Sequence, residues 1–166
     1  MHIQKITTFL WFNTQAEEAI NFYASIFKNS KIVSMKRYPQ GPLEGPLKGL
    51  EGKIMTAVFE LENQQFMALD GGPYFKPTGA VSFYVDCDTQ EEVDYYWNKL
   101  TEGGDPAAQQ CGWLLDKFGF SWQIIPKKLP ELMNDPNPVK AGRVMQAMLQ
   151  MRKIDVEGLE KAYQGD

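Results

Sequence analysis

Histidine and cysteine, two residue types that often serve as nucleophiles, general bases or metal ligands, are scarce in this sequence. The 166 residues contain one histidine, His2, and two cysteines, Cys87 and Cys111. A site built from several histidines is therefore impossible within one chain, and two cysteines are too few for a disulfide framework. A catalytic cysteine needs a pKa lowered by a histidine, a cation or a helix N-terminus, and nothing in the sequence places His2 beside Cys111. We therefore expect Cys111-Gly112-Trp113 to be structural, with Gly112 permitting a bend or a close approach to a ligand.

The acidic residues offer no pair that the sequence places at the separation required for acid–base catalysis. Asp70 precedes Gly71-Gly72-Pro73 and follows a predicted strand, which is ordinary turn chemistry; the weaker alternative is a carboxylate at the rim of a cavity. Asp86 and Asp88 fit the start of a helix, and Asp116 fits a hairpin turn. The catalytic residues are therefore left unassigned.

The composition narrows the class of protein. The net charge is −4 and the isoelectric point about 5.1, so there is no basic field to attract nucleic acid. The aromatic content of 13% exceeds that of a disordered chain. No stretch reaches the 18 or so apolar residues that cross a bilayer, and no leader sequence is recognisable. We expect a cytoplasmic protein that contacts neither membrane nor nucleic acid.

The first half of the chain predicts a strand, a helix and three more strands. The strands are 3–12, 31–38, 53–62 and 65–70, the last two joined by a turn at Asn63-Gln64. The helix is predicted to start from a cap at Asn13 or Thr14, with Glu17 completing a capping box.

The second half repeats this order. Residues 80–86 predict a strand and 88–100 a capped helix, and the helix start at Thr89-Gln90-Glu91-Glu92 matches the one at Thr14-Gln15-Ala16-Glu17-Glu18. The spacing of about 74 residues indicates an internal duplication.

The predicted secondary structure changes after Pro126, from strands to helices. Residues 128–134, 138–152 and 155–164 predict helices. Val144, Met148 and Met151 share one face of the second helix, a stripe typical of a core or a subunit seam and less often of a ligand groove.

Three stretches resemble the PhnB-like branch of the vicinal oxygen chelate (glyoxalase/bleomycin-resistance) superfamily, a branch also labelled demethylubiquinone methyltransferase. They are Ala-Ile-Asn-Phe-Tyr at 19–23, the segment 82–94, and the most specific one, 109–126. The resemblance implies an α+β fold in which two βαβββ modules form a curled mixed sheet around a cavity. The modules, about 1–73 and 79–126, would be one domain, 1–126, with a C-terminal helical extension, 127–166, packed on it. The resemblance also implies a homodimer.

In metal-dependent members of that superfamily, four strand positions supply His, Glu or Gln to a divalent ion. Carried over by motif, these positions fall on Thr7, on Ala80 or Ser82, on Gln123 and on an unplaced residue between Gln65 and Met67. Hydroxyls and one amide do not hold a first-row metal tightly. We therefore predict no metal and no cofactor, although a metal supplied partly by substrate atoms stays open.

Strand alternation then predicts which side chains face the cavity. Ile6, Leu10 and Phe12 would pack on the helix. The predicted ligand-binding residues are Thr7, Phe9, Trp11, Asp70, Ser82, Tyr84, Cys111, Trp113 and Gln123. The alternative is that these side chains fill a closed core.

We therefore predict that the protein binds a small organic molecule in an aromatic-lined cavity without a metal. The alternative is an enzyme of the superfamily, either a metal-assisted isomerase, lyase or dioxygenase, or the methyltransferase of the family label. The sequence has no G-x-G-x-x-G fingerprint for a nucleotide-like cofactor. Whether the protein is an enzyme stays open at this point.

Overall fold

The computed structural model describes residues 5–166, so His2 lies outside the described part. The chain divides into two compact units, one ending at Pro77 and the other spanning Thr78–Asp166. Each unit has its own mixed sheet with helices, which confirms the predicted α+β fold class. That the two modules form one domain stays a prediction. Within residues 5–166, no helix is long and apolar enough to cross a membrane.

The first unit is a complete βαβββ module. Its elements are β1 (Thr8–Phe12), α1 (Ala16–Ile26), β2 (Lys31–Arg37), β3 (Ile54–Leu61) and β4 (Gln64–Asp70). The sheet order is β1-β4-β3-β2, with β1 and β4 parallel and the other neighbours antiparallel.

Side chains alternate across β1 as predicted. Leu10 and Phe12 are buried, whereas Phe9 on the opposite face is 47% exposed. Ile6 lies before the strand and is 87% exposed, so the prediction that it packs on the helix was wrong.

Two local predictions in the first unit need correction. The β3–β4 turn is Glu62-Asn63, one residue earlier than predicted, because both residues adopt the positive φ (46° and 64°) that a two-residue hairpin requires. The N-cap position of α1 is Gln15, which makes no side-chain capping bond. Its first backbone N–H, that of Ala16, donates instead to the carboxylate of the distant Asp70.

The second unit repeats the module with three strands. Its elements are β5 (Ser82–Cys87), α2 (Gln90–Leu100), β6 (Trp113–Leu115) and β7 (Ser121–Pro126), in the sheet order β5-β7-β6. Between α2 and β6, the fourth strand of a complete module is replaced by a 3-10 turn at Pro106–Ala108 and a single bridge from Gln110 to Trp113. The α2 cap is as predicted, since the Thr89 hydroxyl accepts from the Glu92 backbone N–H.

The C-terminal extension belongs to the second unit and packs against its strand β7. It contains α3 (Lys128–Met133), α4 (Pro138–Leu149) and α5 (Val156–Gln164). Its core combines one β7 residue with residues from the extension: Ile125, Leu129, Leu132, Val144, Ile154 and Leu159. Met148 and Met151 pack against this cluster, so the predicted methionine stripe is core at these two positions.

Candidate functional site

The second sheet carries a row of aromatic and amide side chains on one face. Strand register places Tyr84 of β5 opposite Gln123 of β7, and Gln123 opposite Trp113 of β6. Directly paired residues project from the same face, so the three side chains are neighbours. Tyr84 is 54% exposed and Trp113 38% exposed, while the alternate residue Trp122 is buried. We call Tyr84, Gln123 and Trp113 the aromatic row.

Ser82 anchors the amide at the centre of the aromatic row. The Nε2 of Gln123 donates a hydrogen bond of 2.8 Å to the hydroxyl oxygen of Ser82. Two of the predicted site residues, on different strands, are thus in direct contact. No hydrogen bond to the Oε1 of Gln123 is found within residues 5–166, so the carbonyl end of the amide is free to accept one.

The ionisable group in the row is a neutral donor. Burial, followed by the negative charge of Asp86, raises the pKa of the Tyr84 phenol. The phenol therefore keeps its proton at neutral pH and can donate a hydrogen bond to a ligand. The row as a whole offers two aromatic surfaces, two donors in the Tyr84 O–H and the Trp113 indole N–H, an acceptor in the Gln123 carbonyl, and no charge.

Other predicted site residues lie in the first unit. Trp11 is half-buried and fixed from three sides: its indole N–H donates to the Gly72 carbonyl at 2.9 Å, and Phe75 contacts its ring edge-on at a centroid distance of 4.9 Å. On the third side, a Cβ at Gly71 would come within 2.1 Å of the indole, so only glycine fits there. Thr7 is half-buried and directly precedes β1.

Asp70 does not stand at an exposed rim. It is 1% exposed, and its two carboxylate oxygens accept from the backbone N–H groups of Ala16 (2.8 Å) and Ile54 (2.9 Å). The carboxylate thus ties the start of α1 to the start of β3. Asp70 thus has a structural role, and its predicted part in ligand binding stays a prediction.

Cys111 lies in a tight turn. Cys111 and Gly112 have φ of 51° and 82°, and Gln110 and Trp113 exchange backbone hydrogen bonds of 2.8 and 3.1 Å across them. Two residues with positive φ between paired neighbours make the geometry of a type I′ hairpin.

This turn is hydrogen-bonded to the part of the C-terminal extension that lies between α4 and α5. The N–H groups of Cys111 and Gly112 donate to the carbonyls of Met151 and Arg152 at 2.8 and 2.7 Å. These bonds agree with the structural role that the sequence predicted. Burial raises the pKa of the thiol of the other cysteine, Cys87, to about 12, so this thiol keeps its proton at neutral pH.

The positions that the superfamily resemblance assigns to metal ligands carry poor ligands here. In the second unit they are Ala80 or Ser82, and Gln123, of which Ser82 and Gln123 bond to each other; in the first unit they include Thr7. Neutral hydroxyl and amide oxygens do not match the imidazole and carboxylate preference of first-row divalent ions. Over residues 5–166, no three His, Cys, Asp or Glu side chains gather into a metal-binding group. These side chains therefore do not fit a tightly held metal ion.

Comparison with known proteins identifies the family. The 3-demethylubiquinone-9 3-methyltransferase family matches residues 4–125. The chain belongs to this family. Among solved structures, the PhnB protein from Bacillus cereus is 44% identical, with a TM-score of 0.63, over 74% of this chain and 99% of that one. The PhnB-like family predicted from the sequence is thereby confirmed.

More distant structures share the fold. Protein PA1353 from Pseudomonas aeruginosa is 24% identical with a TM-score of 0.60, over 75% of this chain and 98% of its own. The fosfomycin resistance protein FosX from Listeria monocytogenes is 16% identical with a TM-score of 0.50, over 79% and 98%. The chain thus shares its fold with these proteins. Among curated proteins, none matches the chain. The family match ends at residue 125, so the extension lies beyond it.

Proposed function

We propose that this PhnB-like protein binds a small organic molecule containing an aromatic ring at the aromatic row, without a metal. The observation that carries the proposal is the strand register that sets exposed Tyr84 and Trp113 on either side of Gln123. Exposed rings on a sheet face provide stacking surfaces, and an amide between them orients a ligand. Phe9, Trp11 and Thr7 lie in the first unit and stay predicted ligand-binding residues of that unit, separate from the aromatic row. The proposal also retains the homodimer and the cytoplasmic location.

Binding is tested with 4-fluorophenol as a single-ring probe, titrated by fluorine NMR. We expect saturable binding to the wild type and about fivefold weaker binding to Tyr84→Ala and Trp113→Ala, because an aromatic pair contributes about 1 kcal/mol beyond its buried area. Tyr95→Ala is the matched control, since Tyr95 lies in α2 and is 37% exposed, much like Trp113. Unsaturable binding, or equal affinity in both row variants and the control, would contradict the proposal.

The family's description names a second candidate, methyl transfer to 3-demethylubiquinone. That reaction requires a bound methyl donor, for which S-adenosylmethionine is the probe. We expect its addition to leave the melting temperature unchanged, because neither unit has a glycine-rich strand–helix turn to hold such a cofactor. A ligand at 100 times its Kd would stabilise the fold by about 2.7 kcal/mol, and a melting shift of that size would favour the transferase.

A further inference from the structure

We propose that the aromatic row selects aromatic molecules that carry a positive charge, such as arylalkyl ammonium ions, and that Asp86 sets this preference. The inference rests on the proposed function and specifies the class of ligand. Asp86 is assigned as a specificity-determining residue, whose carboxylate faces the ammonium group of a molecule stacked on Tyr84.

Asp86 lies on the same face of the second sheet as the aromatic row. It follows Tyr84 by two positions on β5, and the register of this strand runs without a shift from Ser82 to Cys87, so both side chains project from one face. Two strand residues span about 7 Å, so a ring stacked on Tyr84 can reach Asp86 with a one-carbon arm. The Asp86 side chain is 51% exposed and therefore accessible to a ligand.

The negative charge beside Tyr84 is only partly balanced. Lys127 is bonded to Asp88, and its Nζ lies 4.0 Å from Oδ2 of Asp86. Asp88, followed by the charges of Asp86 and Glu92, raises the pKa of the Lys127 ammonium, so three carboxylates share one cation. Burial, followed by the charge of Asp86, likewise raises the pKa of the Tyr84 phenol. The Tyr84 side of the row therefore carries an excess of negative charge.

The aromatic rings add a second attraction for cations. The face of an aromatic ring is the negative side of its quadrupole, and both Tyr84 and Trp113 have exposed surface. Their O–H and N–H donors lie at the ring edges and would favour an anion, which the ring faces and Asp86 oppose. The carbonyl of Arg152 bonds Gly112, next to Trp113. We therefore assign the ammonium group to the Tyr84 side, away from this arginine.

The test compares three probes that share a fluorinated ring and differ in charge. They are 4-fluorobenzylamine, which is protonated at neutral pH, 4-fluorobenzyl alcohol and 4-fluorobenzoate, titrated by fluorine NMR against the full chain. We expect the wild type to bind the amine about tenfold more tightly than the alcohol, because an exposed cation–π contact and an exposed ion pair each contribute about threefold. The benzoate should bind more weakly than the alcohol.

Salt separates the contribution of charge from that of shape. The Debye length shortens from about 30 Å at 0.01 M salt to about 3 Å at 1 M salt. The preference for the amine over the alcohol should therefore decrease over this range, while the Kd of the uncharged alcohol changes little.

Three variants assign the preference to Asp86. Asp86→Asn removes the charge at nearly constant size and should reduce the preference for the amine to about threefold. Lys127→Gln removes the balancing cation and should increase the preference. Glu131→Gln is the matched control, because Glu131 is an exposed carboxylate paired with Lys128 at 3.0 Å in α3, beyond the end of the sheet, and the preference should not change. Circular dichroism verifies the fold of each variant.

The outcomes separate the inference from the proposed function. Equal affinity of the wild type for the amine and the alcohol would overturn the inference while leaving the proposed function standing, and so would tighter binding of the benzoate than of the alcohol. An equal preference in Asp86→Asn and Glu131→Gln would also overturn it. If none of the three probes binds the wild type, the proposed function fails, and the inference fails with it.

Discussion

Replacing Asp70 with alanine is expected to lower the free energy of unfolding by about 3–5 kcal/mol. The carboxylate is buried and accepts from two backbone N–H groups, those of Ala16 and Ile54. Removing it leaves both donors without a partner, and hydrogen bonds to a charged group contribute about 1.5–3 kcal/mol each. Urea unfolding followed by circular dichroism measures the change, and the transition of the first unit should move to lower urea.

Asp105→Ala is the matched control. Its carboxylate also accepts from a backbone N–H, that of Ala107, but in an exposed turn. We expect this variant to lose about 1 kcal/mol or less. Asp70→Asn should fall between the two, because it keeps one acceptor and turns an amide NH₂ towards the other donor. If Asp70→Ala unfolds no more readily than Asp105→Ala, the structural role assigned to Asp70 is incorrect.

Short-range patterns in the sequence predicted much of the fold. Alternation alone separated buried Leu10 and Phe12 from exposed Phe9, because adjacent strand residues face opposite sides. The α2 cap was predictable because Thr89 and Glu92 are three residues apart. The same reasoning placed Ser82 and Gln123 on one face, where the structure joins them.

Long-range contacts account for what the sequence could not predict. The cap of α1 comes from Asp70, 54 residues away from Ala16, so a local capping box at Thr14 was the wrong expectation. The amide of Gln90 bonds the backbone of Ile154 and of Val156, more than 60 residues away. Tertiary structure brings these groups together, and no local spacing indicates them.

The Cys111-Gly112 turn depends both on a short-range sequence pattern and on a long-range contact. Gly112 is a visible sequence signal, but its partner Arg152 lies in an extension beyond the family match. The carbonyls of Met151 and Arg152 accept hydrogen bonds from the two backbone N–H groups of this turn. Cys111, which was predicted as a ligand-binding residue, thus helps to attach the C-terminal extension, which lies outside the family match.

Gly112→Ala should therefore destabilise the second unit by about 2–4 kcal/mol. Gly112 has φ of 82°, and an added Cβ would lie 2.7 Å from Ile125 Cδ1 and 3.1 Å from both the Ile124 carbonyl oxygen and Ile154 Cγ1. Backbone strain and overpacking both oppose the methyl group. Thermal or urea unfolding gives the size of the loss.

Gly142→Ala provides the control for a glycine-to-alanine change as such. Gly142 lies in α4, and nothing stands within 4 Å of an added Cβ, so alanine should stabilise that helix by about 0.5–1 kcal/mol. The two variants should shift stability in opposite directions.

Gly112→Ala should also weaken the bonds to Met151 and Arg152 and speed tryptic cleavage at Arg152 or Lys153, whereas Gly142→Ala should not. Equal stability and equal cleavage in the two variants would show that the turn does not hold the extension.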